Sequence, residues 1–203
     1  MTTTDLRRQR GAMKPWLIVL IVIAVIGVGC GSSFVGRYNQ MVAMREQVRQ
    51  QWSQVDVAIK RRADLIPNLV NTVKGFAAQE QKVIGEVTDA RAALGGARNP
   101  KDTIAANNQL DGALSRLLVI VENYPNLKSN ANFLALQDEL AGSENRIAVE
   151  RRKYNQALQV YNTAISTFPN SLVARLGGFG YNSDYFQASA GERAAPPTVD
   201  FSK

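Results

Sequence analysis

From Tyr38 onward the chain places large side chains seven residues apart, and this spacing restricts it to helices packed along their lengths. The first series runs Tyr38, Arg45, Trp52, Ile59, Ile66, Val73, Glu80, Val87 and Leu94. Its companions, three residues further on, are Met41, Val48, Val55, Arg62, Leu69, Phe76, Val83 and Ala90. Gly95-Gly96 ends the pattern and Asn99-Pro100 supplies a turn. A shorter helix is expected over about Lys101 to Glu122, with Ile104, Leu110, Leu114, Leu117, Leu118 and Val121 on its apolar face. Asn123-Tyr124-Pro125-Asn126 stops it. The last helix, about Ser129 to Thr167, carries Phe133, Leu140, Ile147, Tyr154, Tyr161 and Phe168 at the same spacing. Its companion positions are Gln137, Glu144, Arg151, Leu158 and Ile165, so half of this seam is polar. The expected fold is all-α, an antiparallel up-down four-helix bundle with long helices.

Pro67 interrupts the first series. Inside a helix, proline removes a hydrogen bond and costs about 3 kcal/mol unless the chain bends or restarts. Asp64 could cap a new helix with Pro67 in its first turn, which favours a reversal. Leu65 and Ile66 are poor turn residues and the seven-residue phase runs straight through, so a kinked continuous helix stays open as the alternative.

Ahead of the helical region, no charged residue occurs from Pro15 to Gly36. That run is long enough to cross about 30 Å of hydrocarbon, and Trp16 sits where an interfacial aromatic belongs. Arg7, Arg8, Arg10 and Lys14 precede it and predict a cytoplasmic N-terminus, with everything after Arg37 on the outer side. A cleaved signal peptide and lipidation at Cys30 are the competing readings of the same segment. The expected organisation is a basic N-terminus (1–14), a transmembrane helix (15–36), a helical bundle (37–170) and a Gly/aromatic segment with an extended tail (171–203). Membrane lipid is the partner expected for residues 15–36.

Composition narrows the chemistry. The chain has no histidine and one cysteine, which removes the common zinc sites, Ser-His and Cys-His catalysis and any internal disulfide. No catalytic site, metal or cofactor is expected. The net charge of +7 is unevenly placed, with Arg7, Arg8, Arg10 and Lys14 opposed only by Asp5 at the N-terminus, and basic residues elsewhere are interspersed with acids. Without a one-sided basic face, no nucleic-acid partner is expected.

Several separated segments carry a resemblance: RYNQMV (Arg37 to Val42), the block WSQVDVAIKRRADLIPNLVNTVKGFAAQE (Trp52 to Glu80), ENRIAVERRKYN (Glu144 to Asn155) and YNTAISTFPN (Tyr161 to Asn170). In order and spacing the chain resembles the LemA family. The resemblance implies a single N-terminal span in a bacterial cell membrane followed by an all-helical up-down bundle. It also implies a reversal at Pro67, and it brings no catalytic mechanism.

Two groups of residues stand out as candidate sites. Arg62, Glu80, Glu144 and Arg151, with Arg45, occupy seam positions where leucine is the norm. They form either inter-helix ion pairs that fix register or a polar layer that holds a ligand. The second group is Leu172, Leu176, Phe179, Tyr181, Tyr185 and Phe186, which an up-down bundle returns to the membrane side. It either forms an interaction or membrane-surface patch or folds back over the bundle end. Trp52, Asp56, Arg61, Asp64 and Asn68 belong to the resembling block, and there Trp52 reads as core and the i,i+4 pairs Asp56–Lys60 and Lys60–Asp64 as helix support. Repeated Tyr-Asn pairs, at Asn39, Asn155 and Asn162, predict interhelical hydrogen bonds. The function expected is a membrane-anchored, self-associating scaffold or interaction module outside the cytoplasm. A sensor or ligand-binding bundle is the alternative.

Overall fold

The computed structural model describes residues 15–187. The expected basic N-terminus (1–14) and the Pro196-Pro197 tail lie outside the described residues. Six helices and no strand are present among the described residues: α1 Pro15–Phe76, α2 Gln81–Gly96, α3 Pro100–Val121, α4 Pro125–Lys128, α5 Ala131–Ser166 and α6 Asn170–Gly177.

α1 is 62 residues long and joins the apolar segment to the bundle without a break. At 1.5 Å per residue it extends about 93 Å. Its first part is long and apolar enough to cross a membrane, and no other described residue covers it. Pro67 lies inside α1, so the expected reversal there does not occur. The chain turns after Phe76 instead, at Ala77–Glu80. The physical reason lies one turn upstream. Pro67 has no N–H for the carbonyl of Ala63, and that oxygen instead accepts the Arg91 Nε–H of α2 at 2.9 Å. A neighbouring helix thus supplies the donor that the proline withholds.

The seven-residue seam becomes the core. Met41, Val55, Ile59, Ile66, Leu69 and Val73 of α1 are buried, as are Phe133, Ile147, Tyr154 and Leu158 of α5. α1 and α5 are antiparallel: Trp52 meets Tyr154 and Arg62 meets Glu144. α2 returns along α1, where Arg91 reaches Ala63, and α3 packs on α2, where Arg116 pairs with Glu86 at 2.8 Å. Local chemistry sets the helix starts. Asn99 accepts the Asp102 N–H at 2.9 Å with Pro100 in the first turn, and Asn130 accepts the N–H groups of Asn132 and Phe133. α6 ends at Gly178, whose φ of 70° is left-handed backbone that glycine adopts without strain.

Candidate functional site

Arg62 sits on the inward face of α1 with 3% of its surface exposed. Its guanidinium donates to Glu144 of α5 and, at 2.6 Å, to Oδ1 of Asn107 on α3. Oδ1 of Asp111, also on α3, lies 2.6 Å from the same guanidinium. Arg151 of α5 reaches the other Asp111 oxygen at 3.3 Å and Glu144 at 3.7 Å. Asn107 completes the ring by donating to Asp111 at 3.1 Å. Two arginines and two carboxylates make the layer formally neutral, which is what a low-dielectric seam tolerates. The Nε atoms of Arg62 and Arg151 have no acceptor among the described residues.

Of the four seam residues singled out in the sequence, the structure brings Arg62, Glu144 and Arg151 together. Glu80 is elsewhere: it lies at the α1–α2 turn and accepts the Tyr124 hydroxyl at 2.7 Å. That hydrogen bond to a carboxylate raises the pKa of Tyr124. Asp111 and Asn107 were missed. Both interrupt the seven-residue apolar series of α3, Asp111 between Ile104 and Leu118 and Asn107 ahead of Leu114, and that signal was overlooked in the sequence.

No backbone contact joins α3 to α5 among the described residues, although both pack on α1. Between them runs an open groove of about 530 Å³, with Leu69, Leu114, Leu118 and Leu140 beside the charged layer. A second depression of about 490 Å³ lies over the block that carries the family resemblance, with Trp52, Asp56, Asp64 and Arg91 on its walls. Trp52 is half-buried and packs edge-on to Tyr154 with ring centroids 5.3 Å apart, so it belongs to the core as expected. Lys60 and Asp56 pair at 2.7 Å, and this hydrogen bond raises the lysine pKa.

The C-terminal aromatic segment divides in two. Phe179 and Phe186, read from the sequence either as a surface patch or as a cover folded over the bundle, are buried, and Tyr185 is largely covered. Phe179 packs edge-on to Tyr38 beneath Arg45, and Phe186 stacks on Trp52 beneath Arg151. They are drawn in because the segment lies as a strap along the α1–α5 groove. Asn155 both donates to the Phe186 carbonyl at 2.8 Å and accepts its N–H at 3.0 Å. Asn162 does the same for Asn182, at 2.7 and 3.1 Å. The Tyr-Asn hydrogen bonds therefore run to the strap backbone and not between helices, while Asn39 is exposed. Leu172, Leu176 and Tyr181 do remain exposed, and Phe168, which the sequence had placed in the core seam, joins them at 81% exposure. Cys30 is exposed on α1.

Fold and site together define an all-helical protein with one long apolar N-terminal helix and a charged layer buried between its helices. The chain belongs to the LemA family, whose sequence profile matches residues 51–201. It is 27% identical to magnetosome protein MamQ 2 of Paramagnetospirillum magneticum, over 91% of this chain and 76% of that protein. It is 26% identical to magnetosome protein MamQ of Magnetospirillum gryphiswaldense, over 92% of this chain and 77% of the relative. Protein LemA of Metamycoplasma hominis is 26% identical over 93% of this chain and 85% of its own length.

Proposed function

We propose that this chain is a membrane-anchored helical scaffold that docks other helices, including those of further copies of itself, and catalyses no reaction. The observation that carries this reading is the open groove between α3 and α5, built on the same helix that contains the apolar segment. A groove lined by leucines with a charged layer along one side suits an amphipathic helix. The second half of α1 with α2, α3 and α5 alternates in direction, which supports an up-down four-helix arrangement splayed open on this side. The basic cluster Arg7 to Lys14 supports a cytoplasmic N-terminus and an outward bundle.

The test is the mass of the full chain in mild detergent. An oligomer is expected, and it dissociates when Leu118 and Leu140 are both changed to Gln. A monomer at every concentration overturns self-association. Sidedness is read with Cys30→Ser and a single cysteine at exposed Asn126, which an impermeant maleimide labels in intact cells if the bundle lies outside. A second reading, ligand binding at the polar layer, is favoured by the unpaired Nε atoms of Arg62 and Arg151 beside the groove. It predicts ligand-dependent stabilisation that disappears in Glu144→Ala.

A further inference from the structure

We propose that α6 lies flat in the membrane–water interface, with Phe168, Leu172, Leu176 and Tyr181 seated among the lipid headgroups and upper acyl chains. The proposal rests on the apolar part of α1 being a membrane span, and it assigns the lipid surface a second contact that the span does not supply.

The level of α6 along α1 is the first observation. The uncharged run ends at Gly36. Immediately after it, Arg37 donates to Oδ1 of Asn170, the first residue of α6, at 2.6 Å. At the other end of α6, a Cβ on Gly177 would come within 3.0 Å of the Tyr38 ring. The ends of this eight-residue helix are about 10 Å apart, yet they meet consecutive residues of α1. Both ends of α6 are thus held against α1 at the level where the uncharged run stops. With α1 along the membrane normal, α6 lies near the membrane plane at the depth where the span emerges.

The second observation is which side of α6 is covered. Val173 and Ala174 are buried against the bundle. Phe168, Leu172, Leu176 and Tyr181 are 81%, 56%, 78% and 67% exposed. Single exposed apolar residues need no explanation, but four gathered on one turn and its flanks do. Tyr181 has the amphipathic ring favoured at headgroup depth, and Phe168, Leu172 and Leu176 are the apolar type that an interfacial helix seats at the acyl boundary.

Charge agrees with the same occupant. From Ser166 to Ser183 the only charged residue is Arg175, which is exposed on α6. A segment with a basic residue and no acid is drawn to anionic headgroups. The opposite end of the bundle is different in kind: there Glu122 pairs with Lys128, and Asn126 and Ser129 are exposed.

The test uses the full chain with Cys30→Ser, reconstituted in vesicles of phosphatidylethanolamine and phosphatidylglycerol. A nitroxide is attached at Leu176→Cys or, for comparison, at Asn126→Cys. Trp16 reports the span through quenching by brominated lipids. The expected result is that the label at 176 collides several-fold more with oxygen than with an aqueous nickel chelate, the reverse holds at 126, and Trp16 is quenched. Equal chelate access at 176 and 126, with Trp16 quenched, overturns the interfacial placement and leaves the span intact. Spin–spin broadening between labels at 176 overturns it in favour of contact between copies. An unquenched Trp16 overturns the span and the placement of α6 with it.

Discussion

One oxygen, the carbonyl of Ala63, links Pro67 to Arg91, and the link makes a quantitative prediction. In Arg91→Ala the oxygen loses its donor, at a cost of about 1 kcal/mol. Pro67→Ala restores the helical N–H and should stabilise the chain by about 1–3 kcal/mol. In the Pro67→Ala background Arg91→Ala becomes nearly silent, and urea unfolding of the four variants measures that coupling. Tyr154 offers a second residue-level prediction. It is 1% exposed, its hydroxyl has no hydrogen-bond partner among the described residues, and burial first, then the charge of Asp184, pushes its pKa up to about 12. Tyr154→Phe should therefore stabilise by about 1 kcal/mol at neutral pH by removing an unsatisfied buried group. Because the folded pKa is raised, the stability linked to the neutral phenol is complete below about pH 10. It falls as pH rises through 12, by about 3 kcal/mol in all. Tyr154→Phe should flatten that alkaline loss in thermal melts taken between those pH values. At this scale the sequence exposed only half of each interaction. Arg62, Glu144 and Arg151 were visible because they break an apolar series. Asp111 and Asn107 break the apolar series of α3 in the same way and were passed over because Leu110 and Leu117 beside them already supplied an apolar face, whereas Arg91 was visible only in space.

Helices and their partners were more legible, since seven-residue spacing reports burial directly. Residues from Met41 to Val73 on that spacing, and from Phe133 to Leu158, are the ones that pack between α1 and α5. The same phase runs unbroken through Pro67 and was a better guide there than the proline or the family resemblance. It failed at Ala77–Glu80, because a four-residue turn keeps the count while reversing the chain. The strap from Gly180 to Gln187 was not legible as an element at all. It has no periodicity, and its aromatic residues are buried because α5 holds its backbone through Asn155 and Asn162. Asn155→Ala removes both hydrogen bonds to Phe186 and should cost about 1–3 kcal/mol. Asn155→Asp keeps the acceptor for the Phe186 N–H and should cost less. Limited proteolysis distinguishes strap release from global weakening: cleavage after Tyr185 or Phe186 should accelerate in Asn155→Ala before the helices become susceptible.

The whole molecule is organised by α1, which is apolar and uncovered in its first part and the core helix of the bundle in its second. Composition changes at Gly36, where the uncharged run ends, and the helix passes straight through that point. Continuity has a mechanical consequence. On the span proposed above, a flexible joint at Arg37 would let the bundle lie down on the membrane, whereas an unbroken helix would hold it upright. α5 runs antiparallel beside α1, the strap fills the groove between them, and α6 packs at the base, so bending α1 near Tyr38 would have to break packed contacts on three elements. From Arg37 to Phe76 the helix rises about 60 Å, whereas two helices lying side by side on a surface stand only about 10–12 Å high. Atomic force microscopy of the full chain in a supported bilayer should therefore record features about 60 Å above the lipid. Replacing Gly36-Arg37 by a run of six glycines should lower that height and broaden its distribution, while costing the bundle the Arg37–Asn170 hydrogen bond. A height near the flat value in the unmodified chain would mean that α1 bends at the membrane, and the rigid stalk would have to be abandoned.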